Sequence, residues 1–471
     1  DIVTMWTPDL AERSGPRYIA IANAIAEDIG RQTLTPGDKL PPHRELAWQL
    51  GVTVGTISRA YREAEQRGLV VGEVGRGTFI RSGQEQNDDF ARRNVLFAYN
   101  KNDNPDLIDF KINRPAPPGK GEALRDMLTE LAAEDDLSVM MSYQPEHGQL
   151  HHRRAGANWL RFAHLSPQPE EVLVTNGTHH GMTVVLGTIM RPGDLLATES
   201  LTYPGIKYLA NSMSLRLKPV AMNDEGMRPD ALEALCQSEE VRAVYVQPTL
   251  QNPTNAIMSE QRRRDIADIA VAHNVAIIED EVYGMMPVER PPAITSFAPD
   301  HAYHLSSVSK CMAPGLRVGF IKAPQQMINR LAATIRMTCW MTSPLNAEIV
   351  CRWLAGERHQ ELTAWHQEQA RERSRLVREV LKPWSPRGHD YAYHVWLTLP
   401  EPWRMEEFVA EAENRGVLVT GSDHFVVGRG QTPHAVRVCY AWEHKPNRLM
   451  RGLTILHEML NDRMSGGRSV I

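Results

Sequence analysis

A lysine at the end of a serine-containing segment is the residue with the clearest chemistry in this sequence. Lys310 closes the segment 306–310, which reads Ser-Ser-Val-Ser-Lys, and Arg317 follows it. A lysine amine condenses with an aldehyde to form a Schiff base. Hydroxyl groups and a guanidinium suit a phosphate, which makes Ser307, Ser309 and Arg317 candidate phosphate ligands. The segment therefore predicts a site for a phosphorylated aldehyde.

Two other segments provide groups that such a molecule requires. Asp280 follows an apolar strand pattern, at the position where ligands gather in open α/β sheets, and its carboxylate could keep a pyridinium nitrogen protonated. Residues 175–181 combine a strand end, a glycine turn and a helix start, whose backbone N–H groups bind phosphate. The candidate ligands of this turn are Gly177, Thr178 and the backbone of His179.

Three further side chains complete the prediction. Tyr203 could stack on an aromatic ring, while Asn252 and Tyr283 could contact a phenolic oxygen on that ring. A ring with a pyridinium nitrogen, a phenolic oxygen, an aldehyde and a phosphate is pyridoxal phosphate, a cofactor that rests on proteins as a lysine Schiff base. These residues together predict a pyridoxal phosphate site centred on Lys310.

In order and spacing, these segments resemble the fold-type-I aminotransferases over roughly residues 110–460. The resemblance implies that Lys310 is the lysine of the aldimine and that the residues above have the same roles. It also implies that Tyr143 reaches the phosphate from the second subunit of a dimer. Arg437 matches the arginine that grips the α-carboxylate of an amino acid, for which a planar guanidinium is suited.

Two segments depart from the usual pattern of these aminotransferases. Asn255 stands where a glycine is usual after the segment 252–254, so the geometry of that turn is left open. His179 and His180 occupy the phosphate turn, where alanine, glutamine or an aromatic residue is commoner. We expect His179 to contribute only its backbone and His180 to be a packed or solvated histidine.

Residues 1–81 are predicted to form a separate DNA-binding domain. Three helical patterns and two strand patterns lie at residues 18–30, 44–50, 54–66, 70–74 and 78–81. A tight joint at 51–53 separates the second and third helices. Helix, turn, helix and two-stranded wing is the layout of a winged helix-turn-helix, whose second helix enters the major groove.

The side chains of this domain suit contacts with duplex DNA. The candidate contacts are Arg44, Thr53, Thr56, Ser58, Arg59 and, at the tip of the wing, Arg76. The segments 36–70 and 75–80 resemble the GntR family of regulators, which implies a double-stranded DNA operator as partner. The alternative is a small helical interaction domain whose arginines lie on a solvated face.

The remaining sequence predicts a linker and a second domain. Residues 82–107 are polar and cannot bury enough apolar surface to order themselves. From residue 108 to 471, strand and helix patterns alternate, which predicts an α/β domain with a mostly parallel sheet. Longer helices and separate strands after about residue 336 predict a smaller α+β subdomain.

Composition excludes several classes of protein. A chain of 471 residues is too long for one core, and its net charge of −5 restricts nucleic-acid binding to a local basic module. No apolar run approaches the roughly 20 residues that span a bilayer, and the N-terminal sequence lacks the pattern of a secretory signal. Five cysteines without pair spacing predict neither a disulfide framework nor a metal site. We therefore expect a cytoplasmic protein.

A GntR-type winged helix joined to an aminotransferase-like domain resembles the MocR subfamily of bacterial regulators. The resemblance implies a homodimer, arranged head to tail, in which an amine or amino-acid effector replaces Lys310 on pyridoxal phosphate and shifts DNA binding. Two alternatives remain open. One is an active aminotransferase with an accessory DNA-binding domain, and the other is a GntR repressor whose second domain no longer holds the cofactor.

Overall fold

A computed structural model describes residues 6–10, 15–73, 77–81, 107–428, 430–443 and 445–465. The chain divides into two compact units, one formed by Asp1–Lys101 with Val426–Pro433 and the other by Asn102–Phe425 with His434–Ile471. The predicted linker, apart from Leu107, and the predicted wing-tip contact Arg76 lie outside the described residues. Among the residues described, no helix is long and apolar enough to cross a membrane.

Among its described residues, the N-terminal unit contains three helices and a two-stranded sheet. These elements are α1 (Arg17–Gly30), α2 (His43–Leu50), α3 (Val54–Gln66), β1 (Val70–Glu73) and β2 (Gly77–Ile80). The two strands pair antiparallel, from Val70 opposite Ile80 to Glu73 opposite Gly77. This order of elements confirms the predicted winged helix-turn-helix.

Local signals explain the turn between α2 and α3. Gly51 ends α2 with a φ of 63°, a left-handed conformation that glycine adopts without steric cost. Thr53 is the N-cap of α3, because its side chain accepts a hydrogen bond from the Thr56 amide at 3.2 Å. The helices enclose a core whose fully buried members include Ile21, Ile25, Leu46, Ile57 and Ala60.

The second unit contains a large sheet, a smaller sheet and eleven described helices. Its strands are β3 (Ile108–Asp109), β4 (Val172–Thr175), β5 (Leu195–Glu199), β6 (Arg216–Val220), β7 (Met222–Asn223), β8 (Gly226–Met227), β9 (Val241–Val246), β10 (Ala276–Asp280), β11 (Ala302–Ser307), β12 (Gly319–Lys322), β13 (His394–Thr398), β14 (Val417–Leu418), β15 (Thr420–Gly421) and β16 (Ala435–Cys439). Its helices are α4 (Glu122–Ala132), α5 (Leu150–Trp159), α6 (Thr178–Ile189), α7 (Pro204–Ser212), α8 (Pro229–Ser238), α9 (Glu260–Ala272), α10 (Ile328–Cys339), α11 (Pro344–Ala355), α12 (Arg358–Val380), α13 (Met405–Asn414) and α14 (Pro446–Ser465).

The large sheet has seven strands in the order β4-β12-β11-β10-β9-β5-β6. β12 is antiparallel to both of its neighbours, whereas the other adjacent strands are parallel. Successive residues of β4 are buried in different cores, with Leu173 in one cluster and Val172 and Val174 in another. Both faces of the sheet are therefore covered, which explains its continuous apolar strands. The predicted α/β sheet is confirmed, with β12 as its antiparallel exception.

The smaller sheet has the order β13-β16-β15 and is antiparallel, while β3 pairs in parallel with β14 nearby. Phe110, Val377 and Phe408 belong to the core beneath these strands. The segment Ile108–Asp109 therefore lies in the smaller subdomain, although the rest of that subdomain is far along the chain.

Two helices beyond residue 328 pack with the large sheet rather than with the smaller one. Leu331 and Ile335 of α10 share a core with Leu173 of β4. Trp353 of α11 belongs to the cluster that contains Val172. Apart from Ile108 and Phe110, the buried core of the smaller subdomain begins at Val377, in the second half of α12.

Candidate cofactor and effector site

The candidate site lies where several parallel strands of the large sheet end. Asp280 is the last residue of β10, Lys310 follows β11, and Gly177 follows β4. Parallel strands present their carboxyl ends at one edge of a sheet, which is where ligands bind in open α/β folds. The fold therefore brings together residues that are more than 100 positions apart in the sequence.

Lys310 is held in a desolvated position. Its Nζ donates a hydrogen bond to the Asn113 carbonyl oxygen at 2.5 Å and lies 5.5 Å from the centre of the Tyr283 ring. Burial, the largest effect, and the nearby charges of Arg437 and Arg317 lower the pKa of Lys310 to about 8, against the opposing effect of Cys439 and Asp280. A lysine with this pKa carries a substantial fraction of free amine near neutral pH, as a nucleophile requires.

Asp280 is a buried carboxylate with three hydrogen-bond donors. Its Oδ2 accepts from the Tyr245 hydroxyl at 2.6 Å and from the Gln247 Nε2 at 3.0 Å, and its Oδ1 accepts from the Val282 amide at 3.1 Å. Burial raises the pKa of Asp280, while these three donors and Lys310 oppose the shift. The three donors hold the carboxylate in one orientation. A carboxylate that pairs with a pyridinium nitrogen needs such a fixed orientation.

An anion cradle forms around the start of α6. Gly177 is the N-cap of this helix, with a φ of 83°, and a Cβ there would lie 2.5 Å from the Arg317 Nη2. The Arg317 Nη1 donates to the Ser309 Oγ at 3.2 Å, and the Ser309 amide donates to the Ser307 Oγ at 3.3 Å. The buried Thr178 Oγ1 has no hydrogen-bond partner among the residues described.

This cradle fits a phosphate group. It combines a guanidinium, free amide groups at a helix N-terminus and an unsatisfied buried hydroxyl, and each of these favours an anion. The glycine at position 177 is needed because any side chain would occupy the space of the Arg317 guanidinium. The residues present therefore fit the phosphate of the predicted cofactor.

The two histidines of the phosphate turn differ in their surroundings. The pKa of His179 is lowered by partial burial and by Arg317. His180 is tied into the fold, since its Nδ1 accepts from the Asn176 amide at 3.1 Å and its Nε2 lies 2.8 Å from the Thr338 hydroxyl. Burial lowers the pKa of His180 to about 4, so its side chain is a neutral, packed group.

The predicted ring contacts lie close to Asp280 and Lys310. Tyr203 precedes α7, and its ring packs against Gly205. A Cβ atom added to Gly205 would lie only 2.2 Å from that ring, so the ring needs a glycine there. Burial raises the pKa of Tyr203, and the Asp280 carboxylate raises it further. The Tyr283 hydroxyl accepts a hydrogen bond from the Asn113 Nδ2 at 2.6 Å.

Arg437, on β16, is buried and forms no ion pair with a carboxylate of the described residues. Its Nη1 donates to the Asn252 Oδ1 at 2.8 Å, and its Nη2 donates to the Lys111 carbonyl oxygen at 2.8 Å. The guanidinium lies 4.9 Å from the centre of the Phe425 ring, and its Nε has no partner in the described part of the chain. A buried guanidinium without such an ion pair is suited to bind an anionic group of a ligand.

Tyr143 is not brought to the phosphate cradle of its own chain. It is 79% exposed, and its ring lies 5.3 Å from that of Trp340. A tyrosine that contacts the site of a second subunit must be exposed on its own chain, as Tyr143 is. Its role in a shared site stays a prediction.

The turn that lacks the usual glycine keeps a glycine-like conformation. Asn255 has a φ of 59°, in the left-handed region that asparagine tolerates better than other residues with a side chain. Its amide donates to the Gln251 carbonyl oxygen at 2.6 Å, and its Nδ2 donates to the His394 carbonyl oxygen at 2.8 Å. These contacts settle the turn geometry that the sequence left open.

Sequence reasoning missed several residues of the site. Asn113 contacts both Lys310 and Tyr283, and its Oδ1 is buried without a partner among the described residues. Tyr245 and Gln247 orient Asp280, and their signal was two hydrogen-bonding side chains at alternate positions, one in the apolar strand β9 and one directly after it.

Glu199 was also missed, although it ends an apolar strand as Asp280 does. It is completely buried, and its Oε1 accepts from the Gln247 amide at 3.2 Å. Burial raises the pKa of Glu199 to about 8, and the nearby Asp280 adds to the effect. Glu199 is therefore mainly protonated at neutral pH.

The predicted DNA contacts fall into two groups. Thr53 and Thr56 serve the helix start, since their hydroxyl oxygens lie 2.9 Å apart and the Thr53 Oγ1 caps α3. Arg59 is exposed on α3 and Ser58 is half-buried beside it, while Arg44 is exposed on α2. The exposed arginines remain the side chains with charge available for DNA.

Comparisons with known proteins agree with this architecture. Residues 105–454 match the family described as Aminotransferase class I and II, and residues 17–80 match the family described as Bacterial regulatory proteins, gntR family. The chain is 31% identical to the uncharacterised HTH-type transcriptional regulator YdeF of Bacillus subtilis, over 97% of each protein. It is 25% identical to the HTH-type pyridoxine biosynthesis transcriptional regulator PdxR of Corynebacterium glutamicum, over 87% of this chain and 89% of that protein.

Solved structures show the same fold for the second unit. The crystal structure of LysN, the α-aminoadipate aminotransferase of Thermus thermophilus complexed with N-(5'-phosphopyridoxyl)-L-leucine, aligns with a TM-score of 0.69 and 23% identity. The alignment covers 79% of this chain and 95% of that chain. This likeness confirms the predicted fold-type-I aminotransferase architecture.

Proposed function

We propose that this chain, which belongs to the HTH-type transcription regulators that join a gntR-family domain to an aminotransferase class I and II domain, is a regulator of MocR type that senses an amine or amino-acid effector through pyridoxal phosphate held at Lys310. The observation that carries this proposal is the desolvated Lys310 amine beside a buried carboxylate and an anion cradle. A lysine with a purely structural role would not require a buried carboxylate and an anion cradle beside it.

Each part of the cofactor has a matching group in the chain. Gly177, Thr178, Ser307, Ser309 and Arg317 would hold the phosphate, and the fixed Asp280 carboxylate would face the pyridine nitrogen. Tyr203 would cover the ring, with Asn252 and Tyr283 at its oxygen. When bound, the cofactor supplies an aldehyde carbon that an amine can occupy.

Effector binding would then be an exchange of amines at Lys310. An effector amine would compete with the Lys310 amine for that carbon, and such an exchange would need no oxidant or reductant. The released amine has an acceptor in the Asn113 carbonyl oxygen. The buried Arg437 would bind an effector carboxylate, which favours an amino acid over a simple amine.

DNA recognition is assigned to the N-terminal unit. α3 would enter the major groove with Arg59 exposed, and the wing would lie beside the phosphates. We further propose a homodimer, arranged head to tail, to which the exposed Tyr143 contributes a shared site. Effector exchange changes DNA affinity to the extent that the effector binds the two conformations unequally.

An absorption titration tests this function. The full-length protein is saturated with pyridoxal phosphate, its absorption band is followed during titration with candidate amines and amino acids, and operator binding is measured in parallel by fluorescence anisotropy. We expect one amine class to change both signals in the parent and neither in Lys310→Ala. An effector response of DNA binding that persists in Lys310→Ala would rule out this mechanism.

Transamination is the second candidate function, and one observation favours it. An aminotransferase also needs a lysine for proton transfer and an arginine for substrate binding in one site. Lys310, whose pKa is about 8, and the buried Arg437 are residues of these types. Incubation with amino acids and keto acids separates the two functions. Turnover of about 1 per second or more would indicate an enzyme, whereas a spectral change without product indicates a sensor.

A further inference from the structure

Two adjacent histidines converge on one glutamate at a distance from the cofactor residues. His151 and His152 lie on α5, and Glu348 lies on α11, which packs against α5. The Nε2 of each histidine lies 2.8 Å from the Glu348 Oε2. These three ligand atoms all lie within 4.8 Å of one another.

We propose that this cluster is a binding site for one transition-metal ion of zinc type. Two imidazole nitrogens and a carboxylate oxygen form a ligand set that zinc accepts, with water in the fourth position. Zinc bonds of about 2.0–2.2 Å place neighbouring tetrahedral ligands about 3.3–3.6 Å apart. Small rotations of the three side chains would therefore open the cluster enough to admit the ion.

The neighbouring charges allow a cation here. The Arg352 Nε holds the other oxygen of Glu348, Oε1, at 2.7 Å, which leaves Oε2 directed at the two imidazoles. Arg352 is itself paired with Glu134 at 2.5 Å, so its charge is already balanced. Such an outer contact on a ligating carboxylate fixes its orientation without occupying the oxygen that binds the ion.

Exposure gives the ion a route into the cluster. The side chain of His152 is 4% exposed and that of Glu348 is 13% exposed, whereas that of His151 is 59% exposed. Two ligands are thus held by packing, and the third faces solvent, where water could complete the coordination. The sequence predicted no metal because the glutamate is 196 positions from His152 and belongs to no spaced motif.

The ion would bridge two helices, so its effect should appear in stability. A metal that binds the folded chain and not the unfolded chain raises the melting temperature by an amount that grows with the logarithm of the ratio of metal concentration to Kd. None of the three ligands belongs to the cofactor site described above. The absorption band of the bound cofactor should therefore be unchanged by the metal.

Zinc binding by the full-length protein tests the proposal. The protein is stripped with a chelator, titrated with zinc chloride in the presence of a chromophoric competitor, and melted with and without zinc. We expect about one zinc per chain and a higher melting temperature. His151→Ala changes an exposed side chain, and Glu348→Gln replaces the carboxylate by a poor ligand of the same shape, so each should weaken zinc binding at least about tenfold.

His301→Ala is the matched control, since it removes a half-exposed histidine outside the cluster and should keep the zinc affinity of the parent. Circular dichroism establishes that each variant is folded. Equal zinc affinity in the parent, His151→Ala and Glu348→Gln would overturn the proposal. So would a parent that binds no zinc, since the two imidazoles would then only donate hydrogen bonds to the carboxylate.

Discussion

Among single residues, Lys310 owes its reactivity to its surroundings. Burial lowers its pKa to about 8, and the Asn113 carbonyl oxygen fixes the position of its amine. An ordinary lysine, with a pKa of about 10.4, carries almost no free amine at neutral pH. The surroundings of Lys310 therefore raise the fraction of neutral amine near neutral pH.

This shift predicts the pH dependence of cofactor uptake. Because the neutral amine is the nucleophile, the rate at which cofactor-free protein takes up pyridoxal phosphate should rise with pH and level off above about 8. Stopped-flow absorption measures this rate. A rate that climbs steadily to pH 10 would show that the amine is not desolvated.

The hydrogen bond from Tyr245 to Asp280 leads to a second prediction. In Tyr245→Phe, the buried carboxylate loses a donor at 2.6 Å, so its charged form becomes less favourable. We expect cofactor binding to weaken by about 1.5 kcal/mol, roughly tenfold, because a hydrogen bond to a charged group is lost. Equilibrium dialysis measures the affinity. Tyr303→Phe, at a buried tyrosine of the adjacent β11, is the control and should bind normally.

Among elements, local signals were predictable and long-range pairing was not. The helix predicted at 54–66 is found with those bounds, because a threonine cap and flanking glycines are local signals. β3 and β12 were not predicted, since their partner strands lie far along the chain. Likewise, Lys310 and Asp280 could be inferred from their segments, whereas Asn113 enters the site through a contact with Tyr283, 170 positions away.

The turn at Asn255 gives a prediction about an element. Glycine adopts its φ of 59° freely, whereas alanine pays about 1 kcal/mol or more in this region. Asn255→Ala should therefore lower the free energy of unfolding by about 1–2 kcal/mol, since it also removes the hydrogen bond to the His394 carbonyl oxygen. Asn255→Gly keeps the backbone conformation and should lose less. Urea denaturation compares the two, and equal stability would show that the backbone conformation is unimportant.

The exposed face of α3 gives a prediction about DNA binding. Arg59→Ala should weaken operator binding by about 1–3 kcal/mol if the guanidinium reads a base. Arg31→Ala, at an exposed arginine beyond the end of α1, is the control and should have little effect. Fluorescence anisotropy at several salt concentrations measures both. Parent-like affinity of Arg59→Ala at every salt concentration would place Arg59 outside the interface.

At the scale of the whole molecule, Glu199 predicts how stability depends on pH. Its pKa is about 8 in the folded chain, against about 4.3 for an unfolded glutamate, so the folded chain binds the proton more tightly. This contribution to stability is complete below the unfolded pKa and is lost as pH rises through about 8.

Glu199→Gln should remove this pH dependence, because the amide mimics the protonated acid and cannot ionise. Between pH 6 and pH 9 the melting temperature of the cofactor-free parent should fall more than that of Glu199→Gln. Glu130→Gln, at an exposed glutamate, should follow the parent. Parallel pH profiles of the parent and Glu199→Gln would show that Glu199 is ionised in the folded chain.

The short strand β3 has a consequence for signalling. Its residues emerge from the linker, join the smaller sheet beside β14, and continue within a few positions to Asn113, whose carbonyl oxygen receives the Lys310 amine. If an effector displaced the lysine, the backbone at Asn113 would lose this contact while β3 stayed paired with β14. The smaller sheet would therefore be the first element outside the site to respond to the exchange.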